Sequence, residues 1–395
     1  MMRILKEQQI SAHCILACLY FLLLPTTIAV NSAGNSILKL ATIPIGLFFL
    51  ITLLLSNRKL NLNIVHFALI IYTLSVVGTL FVDSGSMSVD FVIGYILNAA
   101  LYICLSVFPY NKAELELMEK VQIVLLVILN VLTLFFSGTE DNRTTLMIMG
   151  QTSDPNYFIG FFIFPLTISL KQLASGKQRI FHLLLVSTTL YSVYLSGSRG
   201  GLLAVAATVA CFALLYPSGI GKRLGYFLGG FALIVVLWFI AKPFLPENIV
   251  ERMSFDDVVE SGGTGRLVIW KSMLREIVDQ PDKLILGRGI NAMHRLFVNG
   301  IWTEAGAHNQ LLQVLYSQGL MGLLAFLFLT GVSFFRCIKR RKTVAIAILG
   351  MMALSVSLSF NQTTRTFWNL IAYAAFAFPN DEIMIEEHGG TSENG

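Results

Sequence analysis

The stretch Leu224–Ala241, LGYFLGGFALIVVLWFIA, carries no charged side chain. As an α-helix it would be about 27 Å long, close to the roughly 30 Å hydrocarbon core of a bilayer. Eleven more apolar runs follow the same pattern: Ile10–Val30, Leu38–Leu55, Ile64–Val82, Phe91–Phe108, Val121–Phe136, Tyr157–Leu170, Ile180–Leu195, Gly201–Tyr216, Gln310–Phe335, Val344–Phe360 and Thr366–Phe378. The sixth and twelfth are short for a span and are expected to tilt little or to be enclosed by protein. Over all 395 residues, 55% are hydrophobic and only 13% charged, about half the charge of a soluble domain. This is the pattern of an all-α, polytopic membrane protein with about twelve transmembrane helices. A membrane barrel would alternate in short segments instead.

One long polar interval breaks the series. Phe244–Gln310 follows directly on the quoted helix and holds, with Lys242 just before it, eight basic and nine acidic residues. Charge places it. Short loops rich in Lys and Arg stay cytoplasmic. With the N-terminus inside, sixteen cations fall on inner segments: Arg3, Lys6, Arg58, Lys59, Lys112, Lys120, Lys171, Lys177, Arg179, Lys222, Arg223, Arg336, Lys339, Arg340, Arg341 and Lys342. Four fall on short outer ones: Lys39, Arg143, Arg199 and Arg365. Both termini are therefore expected in the cytoplasm and the long loop outside. Arg3 and Lys6 before Ile10–Val30 suit an uncleaved first helix; a signal peptide cleaved near Ala33 has the same outline. The acidic tail after Phe378 reads as disordered.

The net charge of +5 is largely this topological bias and does not imply nucleic acid. Five cysteines, Cys14, Cys18, Cys104, Cys211 and Cys337, lie in or at the ends of apolar runs, with no metal-ligand spacing and no disulfide framework. No run has Asp, Glu, Lys or Arg near its centre, which argues against an ion-coupled transporter.

Three segments carry candidate chemistry. Ser196-Gly197-Ser198-Arg199-Gly200-Gly201 joins two apolar runs at the outer face. Its glycines allow a tight reversal, and the next helix starts with free N–H groups beside Arg199, a compact anion site. The plainer reading is a helical hairpin whose Arg snorkels to lipid headgroups. In Thr264-Gly265-Arg266, Thr264 can cap a helix over Gly265–Asp279, with Leu267, Trp270, Leu274, Ile277 and Val278 on its apolar face. Arg266 sits in the first turn, where the helix dipole disfavours a cation unless an anion joins it; a solvated Arg is the alternative. His308-Asn309 stands at the top of the tenth run, where an imidazole can serve as a general base or simply cap the helix. His294, in the same loop, reads as surface. Asp154-Pro155-Asn156-Tyr157 opens the sixth run. Asp154 and Asn156 could hold sugar hydroxyls, although the same residues are an ordinary helix start. No metal site is evident, and Gly287-Arg288-Gly289 is too short for a dinucleotide fingerprint.

Taken in order, these pieces resemble the O-antigen ligase and polymerase family of membrane glycosyltransferases. The Ser196–Gly201 turn is similar to the family's Ser-x-Ser-Arg-Gly turn. Gly265-Arg266 with Trp270 resembles its Gly-Arg…Trp segment, Leu286–Gly289 its Gly-x-Gly step, and His308-Asn309-Gln310 with Gln318–Gly322 its helix start. The likeness runs from Asp154 to Phe335. It implies a GT-C-like architecture, with an N-terminal helical part (1–153), a ligase/polymerase-like core (154–378, including the extracytoplasmic loop 242–309) and a tail (379–395). It also implies transfer at the outer face of the bacterial cytoplasmic membrane, without metal or cofactor. The donor would be a glycan on undecaprenyl diphosphate and the acceptor a lipid-linked repeat unit or lipid A core. A chain-length regulator or flippase would be its protein partner. Arg199 and Arg266 would hold the diphosphate and His308 would take the acceptor proton. Asn309, Arg288, Trp270, Ser198 and Asp154 would line the substrate site.

Overall fold

The computed structural model describes residues 10–29, 37–140, 143–217, 219–253, 266–298, 301–360 and 364–376. The expectations for Ala33, for Thr264 and Gly265, and for the tail fall outside these residues. A helix stands at each of the twelve apolar runs: α1 Ala12–Leu23, α2 Ile37–Leu54, α3 Ile64–Gly78, α4 Ser86–Ser106, α5 Lys112–Phe135, α6 Ile159–Ser175, α7 Arg179–Leu195, α8 Arg199–Leu215, α9 Ile220–Ala241, α12 Gln310–Cys337, α13 Lys342–Leu354 and α14 Arg365–Ala375. Among the described residues two shorter helices, α10 Glu247–Arg252 and α11 Arg266–Asp279, lie in the long polar interval. Among the described residues six segments are long and apolar enough to cross a bilayer: Ile37–Leu54, Ile64–Phe81, Ser86–Ser106, Lys112–Phe135, Ile220–Phe244 and Gln310–Cys337.

Strands qualify the all-helical expectation. Between α5 and α6 the chain forms two small antiparallel hairpins, β1 Gly138–Glu140 with β2 Arg143–Thr145, and β3 Met147–Ile148 with β4 Gln151–Thr152. In the long interval β5 His294–Val298 pairs antiparallel with β6 Ile301–Ala305. Each ribbon lies between helices, where the main chain has no helical partner and satisfies its own amides.

One apolar core joins α1 to α8 with α12, α13 and α14. The eleven residues of α14 are all buried, so this helix is wrapped by the others. Arg365 at its start corrects the expectation that it sits in an outer loop. Only 5% of it is exposed, and it donates to Asn98 in α4 and to Thr42 Oγ1 in α2 at 3.0 Å. A charge does enter the bundle here, with hydroxyl and amide partners named by these bonds. At the start of α5, Asn111 and Glu114 form a capping box. The fully buried Glu114 also takes Arg58 at 2.8 Å and the Ser11 amide at 2.9 Å.

The polar interval is spliced into the membrane part through a break in α12. Gly319 leaves helical geometry (φ 67°, ψ −165°). Segment 284–289 pairs there: the amides of Arg288 and Gly289 reach the carbonyls of Tyr316 and Ser317 at 3.2 and 3.0 Å, and the amides of Leu320 and Met321 reach Leu284 and Ile285 at 2.8 and 3.2 Å. Both crossing points are glycine because a Cβ on Gly287 would stand 2.3 Å from Ser317 O, and one on Gly319 2.3 Å from Ile285 O. Amides freed by the break are thus satisfied by neighbouring backbone, as a non-aqueous setting demands.

Candidate active site

Arg199 is the first residue of α8. Ahead of it Gly197 takes φ 56°, and a Cβ there would press to 2.8 Å on Ile249 of α10. Ser198 caps α8, its hydroxyl accepting the Gly201 amide at 2.9 Å and donating to Asn156 Oδ1 at 2.6 Å. At 1% exposure Ser198 holds the turn rather than facing solvent. Arg199 Nε donates to the Arg252 carbonyl at 2.7 Å, and Arg252 Nε returns a bond to the Gly197 carbonyl at 3.1 Å. These two bonds tie α10 over the turn.

Asp154 Oδ1 accepts the amides of Asn156 and Tyr157 at 2.7 and 3.1 Å, opening the turn before α6, while its side chain stays exposed. Arg266 begins α11. Burial pushes its guanidinium below the ordinary value, Asp154 opposes this, and Arg143 and Arg199 add to it. Three charged side chains from three other segments therefore lie within electrostatic reach of Arg266. Arg143, on β2 and only 8% exposed, belongs to this group. The sequence reading used it only to count charge. Its signal was the lone cation between the fifth and sixth apolar runs.

His308 completes the cluster. The surrounding protein strips water from its imidazole and lowers its pKa below the ordinary value; Arg266 lowers it further, and Asp154 pulls the other way. Its backbone is left-handed at φ 46°, which costs a non-glycine residue about 1–2 kcal/mol. Ala307 just before it is clamped on both sides: Trp270 Nε1 donates to its carbonyl at 2.7 Å, and its amide donates to Gln313 Oε1 at 3.0 Å. Trp270 thus reaches the site through the His308 turn. Asn309 caps α12, accepting the Leu312 amide at 3.1 Å. His308 and Asp154 both line a cavity of about 520 Å³, whose walls include Tyr95, Tyr157, Met293 and Gln318.

Two expectations need correction. Of the expected site residues only His308 and Asp154 line this cavity; Arg199, Arg266, Ser198, Trp270, Asn309 and Arg288 do not, and Arg288 is engaged elsewhere. Its guanidinium donates to Glu276 Oε1 at 3.1 Å and to the Glu276 carbonyl at 2.8 Å, and it lies 4.5 Å from the centre of the Tyr316 ring. His294 is not surface. It is 4% exposed and bridges Ser272 Oγ (2.9 Å) and Glu276 Oε2 (2.8 Å), and Glu276 also accepts the Tyr316 hydroxyl at 2.9 Å. Both form a polar knot that fixes α11 to β5 and α12. The inward face of α11 is correspondingly Ile269, Met273 and Ile277, while Leu267, Leu274 and Val278 are exposed. Among the described residues no group of three His, Cys, Asp or Glu side chains could hold a metal ion.

Residues 184–327 match the family model described as O-antigen ligase. The matched segment contains Arg199, Arg266 and His308, and runs from α7 into α12. The match supports the O-antigen ligase/polymerase family and, with the apolar helices, a membrane glycosyltransferase of that general type. Lipid-linked glycan and acceptor substrates are what this family implies. No curated protein matches the chain.

Proposed function

We propose that the protein transfers a glycan from undecaprenyl diphosphate to a sugar hydroxyl at the outer face of the bacterial cytoplasmic membrane, without a metal ion, and that it polymerises repeat units of a surface polysaccharide. The observation that carries this reading is a chain of charge contacts: Arg266 feels Asp154, Arg143 and Arg199, His308 feels Arg266 and Asp154, and His308 and Asp154 line one cavity. The acceptor oxygen attacks the anomeric carbon, the bond from that carbon to the diphosphate oxygen breaks, and the acceptor proton passes to His308. The leaving group carries several negative charges. Guanidinium groups in a poorly hydrated site stabilise it as it departs. Direct attack inverts the anomeric configuration. An imidazole held below its ordinary pKa is already neutral, hence basic, at neutral pH.

The ligase reading, in which the finished chain moves to lipid A core or another acceptor, is favoured by the family description itself. The Asp154-Pro155-Asn156-Tyr157 stretch before α6 looks more like capsular and exopolysaccharide members, which favours a polymerase. The glycan made by a deletion strain separates the two. Single repeat units left on the surface support a polymerase, full-length chains stranded on the lipid carrier support a ligase, and unchanged surface glycan refutes both. A transporter of lipid-linked oligosaccharide could use Arg365 inside the bundle, but it leaves the arginine–histidine cluster without a task.

A further inference from the structure

A second polar cavity, of about 380 Å³, opens at the far end of the bundle from the His308 cluster. The helix ends show the separation. Helices α6 and α8 begin beside Asp154 and at Arg199, and their other ends reach this cavity through Lys171 and Tyr216. Its wall carries Lys339, Arg340, Arg341 and Lys342 from the α12–α13 connection. One acid, Glu119, also lines it, and that carboxylate is taken by Lys171 at 2.7 and 2.9 Å. The other four cations are shaped around the space. Arg341 donates to the Tyr373 carbonyl at 3.3 Å and Lys342 to the Tyr216 carbonyl at 3.4 Å. A bias of cations toward one side of the membrane requires charge on that side, but it does not require four cations drawn round one open cavity.

An apolar cleft adjoins it. This cleft, about 230 Å³, lies among α6, α7, α8 and α9 and is lined by Leu170, Val186, Phe212, Gly229 and Leu233 among others. Leu170 precedes Lys171 in the chain, and Phe212 of the cleft stacks on Tyr216 of the cavity with ring centres 4.6 Å apart. The two spaces thus lie next to each other along α6 and α8. A small phosphate has no use for the second space, whereas an amphiphile fills both. We propose that the cavity binds the phosphate of an anionic membrane phospholipid, with an acyl chain in the adjoining cleft. Basic pockets between membrane helices are suited to such headgroups.

The test is native mass spectrometry of the full chain in detergent with added cardiolipin, phosphatidylglycerol or phosphatidylethanolamine. The two anionic lipids should be retained and the zwitterionic one should not. Lys339→Gln with Arg340→Gln should lower retention by roughly tenfold or more. Lys222→Gln with Arg223→Gln, which removes the same charge near the start of α9 outside the cavity, should leave it unchanged. If the first pair does not yield folded protein, the exposed Lys339→Gln alone should still lower retention. Equal retention of all three lipids, or equal loss in both double variants, would overturn the proposal. Displacement of lipid by millimolar inorganic phosphate, regardless of acyl chain, would assign the cavity to free phosphate. Retention seen only with Asp381→Asn and Glu382→Gln would assign it to the chain's own acidic tail.

Discussion

Trp270→Phe tests whether the His308 turn is held in a strained state for catalysis. The substitution keeps an aromatic ring and removes one donor, the indole N–H that reaches the Ala307 carbonyl at 2.7 Å. Ala307 is fully buried, so the carbonyl would lose its partner without gaining water freely. The loss of such a bond costs about 1–2 kcal/mol. That is the size of the left-handed penalty at His308, about 1–2 kcal/mol, which the clamp now offsets. With the clamp half open, His308 relaxes to ordinary backbone angles and leaves its place at the cavity mouth. A shift of about 1–2 kcal/mol lowers the competent population, and hence the rate of the chemical step, about 5–30-fold. The assay is single-turnover transfer from a fluorescent lipid-linked donor by purified protein, with donor affinity measured separately. Affinity should stay unchanged, because the arginine cluster is untouched. A wild-type rate would refute the argument, as would a rate loss matched by an equal loss of donor binding.

Three other expectations are independent of the clamp. Arg266→Lys retains a charge but not the planar two-donor fork that matches phosphate, and transfer should fall on the order of 10²–10³-fold; a rate near wild type in the same assay would remove Arg266 from the diphosphate site. Arg143→Gln should weaken donor binding and make it less sensitive to salt, since one cation leaves the cluster; an unchanged salt dependence would show that Arg143 serves only its hairpin. The acid limb of the pH–rate profile should lie below the ordinary histidine value of about 6.5, because a depressed pKa keeps His308 neutral to lower pH. Residual activity of Arg266→Gln should shift that limb upward, and Asp154→Asn should shift it downward. A common direction for both variants, or no movement in either, would exclude His308 as the titrating base.

The helices were legible because an uncharged run of membrane length has few other solutions. Arg199, Arg266 and His308 stood out because each borders such a run or a helix start. What escaped depends on contacts between distant segments. His294 and Glu276 gain meaning only when β5 folds against α11, and nothing local announces that Arg288 will turn inward to Glu276 and Tyr316. Apolar residues lie on both sides of α11, so periodicity alone does not choose between Met273, which the protein buries, and Leu274, which it leaves exposed. Arg365 was misplaced for a related reason. A charge next to an apolar run looks like a loop residue until the bundle closes around it.

The break at Gly319 bears on how the protein is made. Segment 284–289 is translated before its partners at 316–321 and finds its hydrogen bonds only once they emerge. Until then the interval bearing Arg266 has no anchor at its later end, and His308 has no helix to stand on. A ribosome-bound chain that stops short of Met321 lacks the partners of segment 284–289, so the link between the polar interval and α12 cannot close before they emerge.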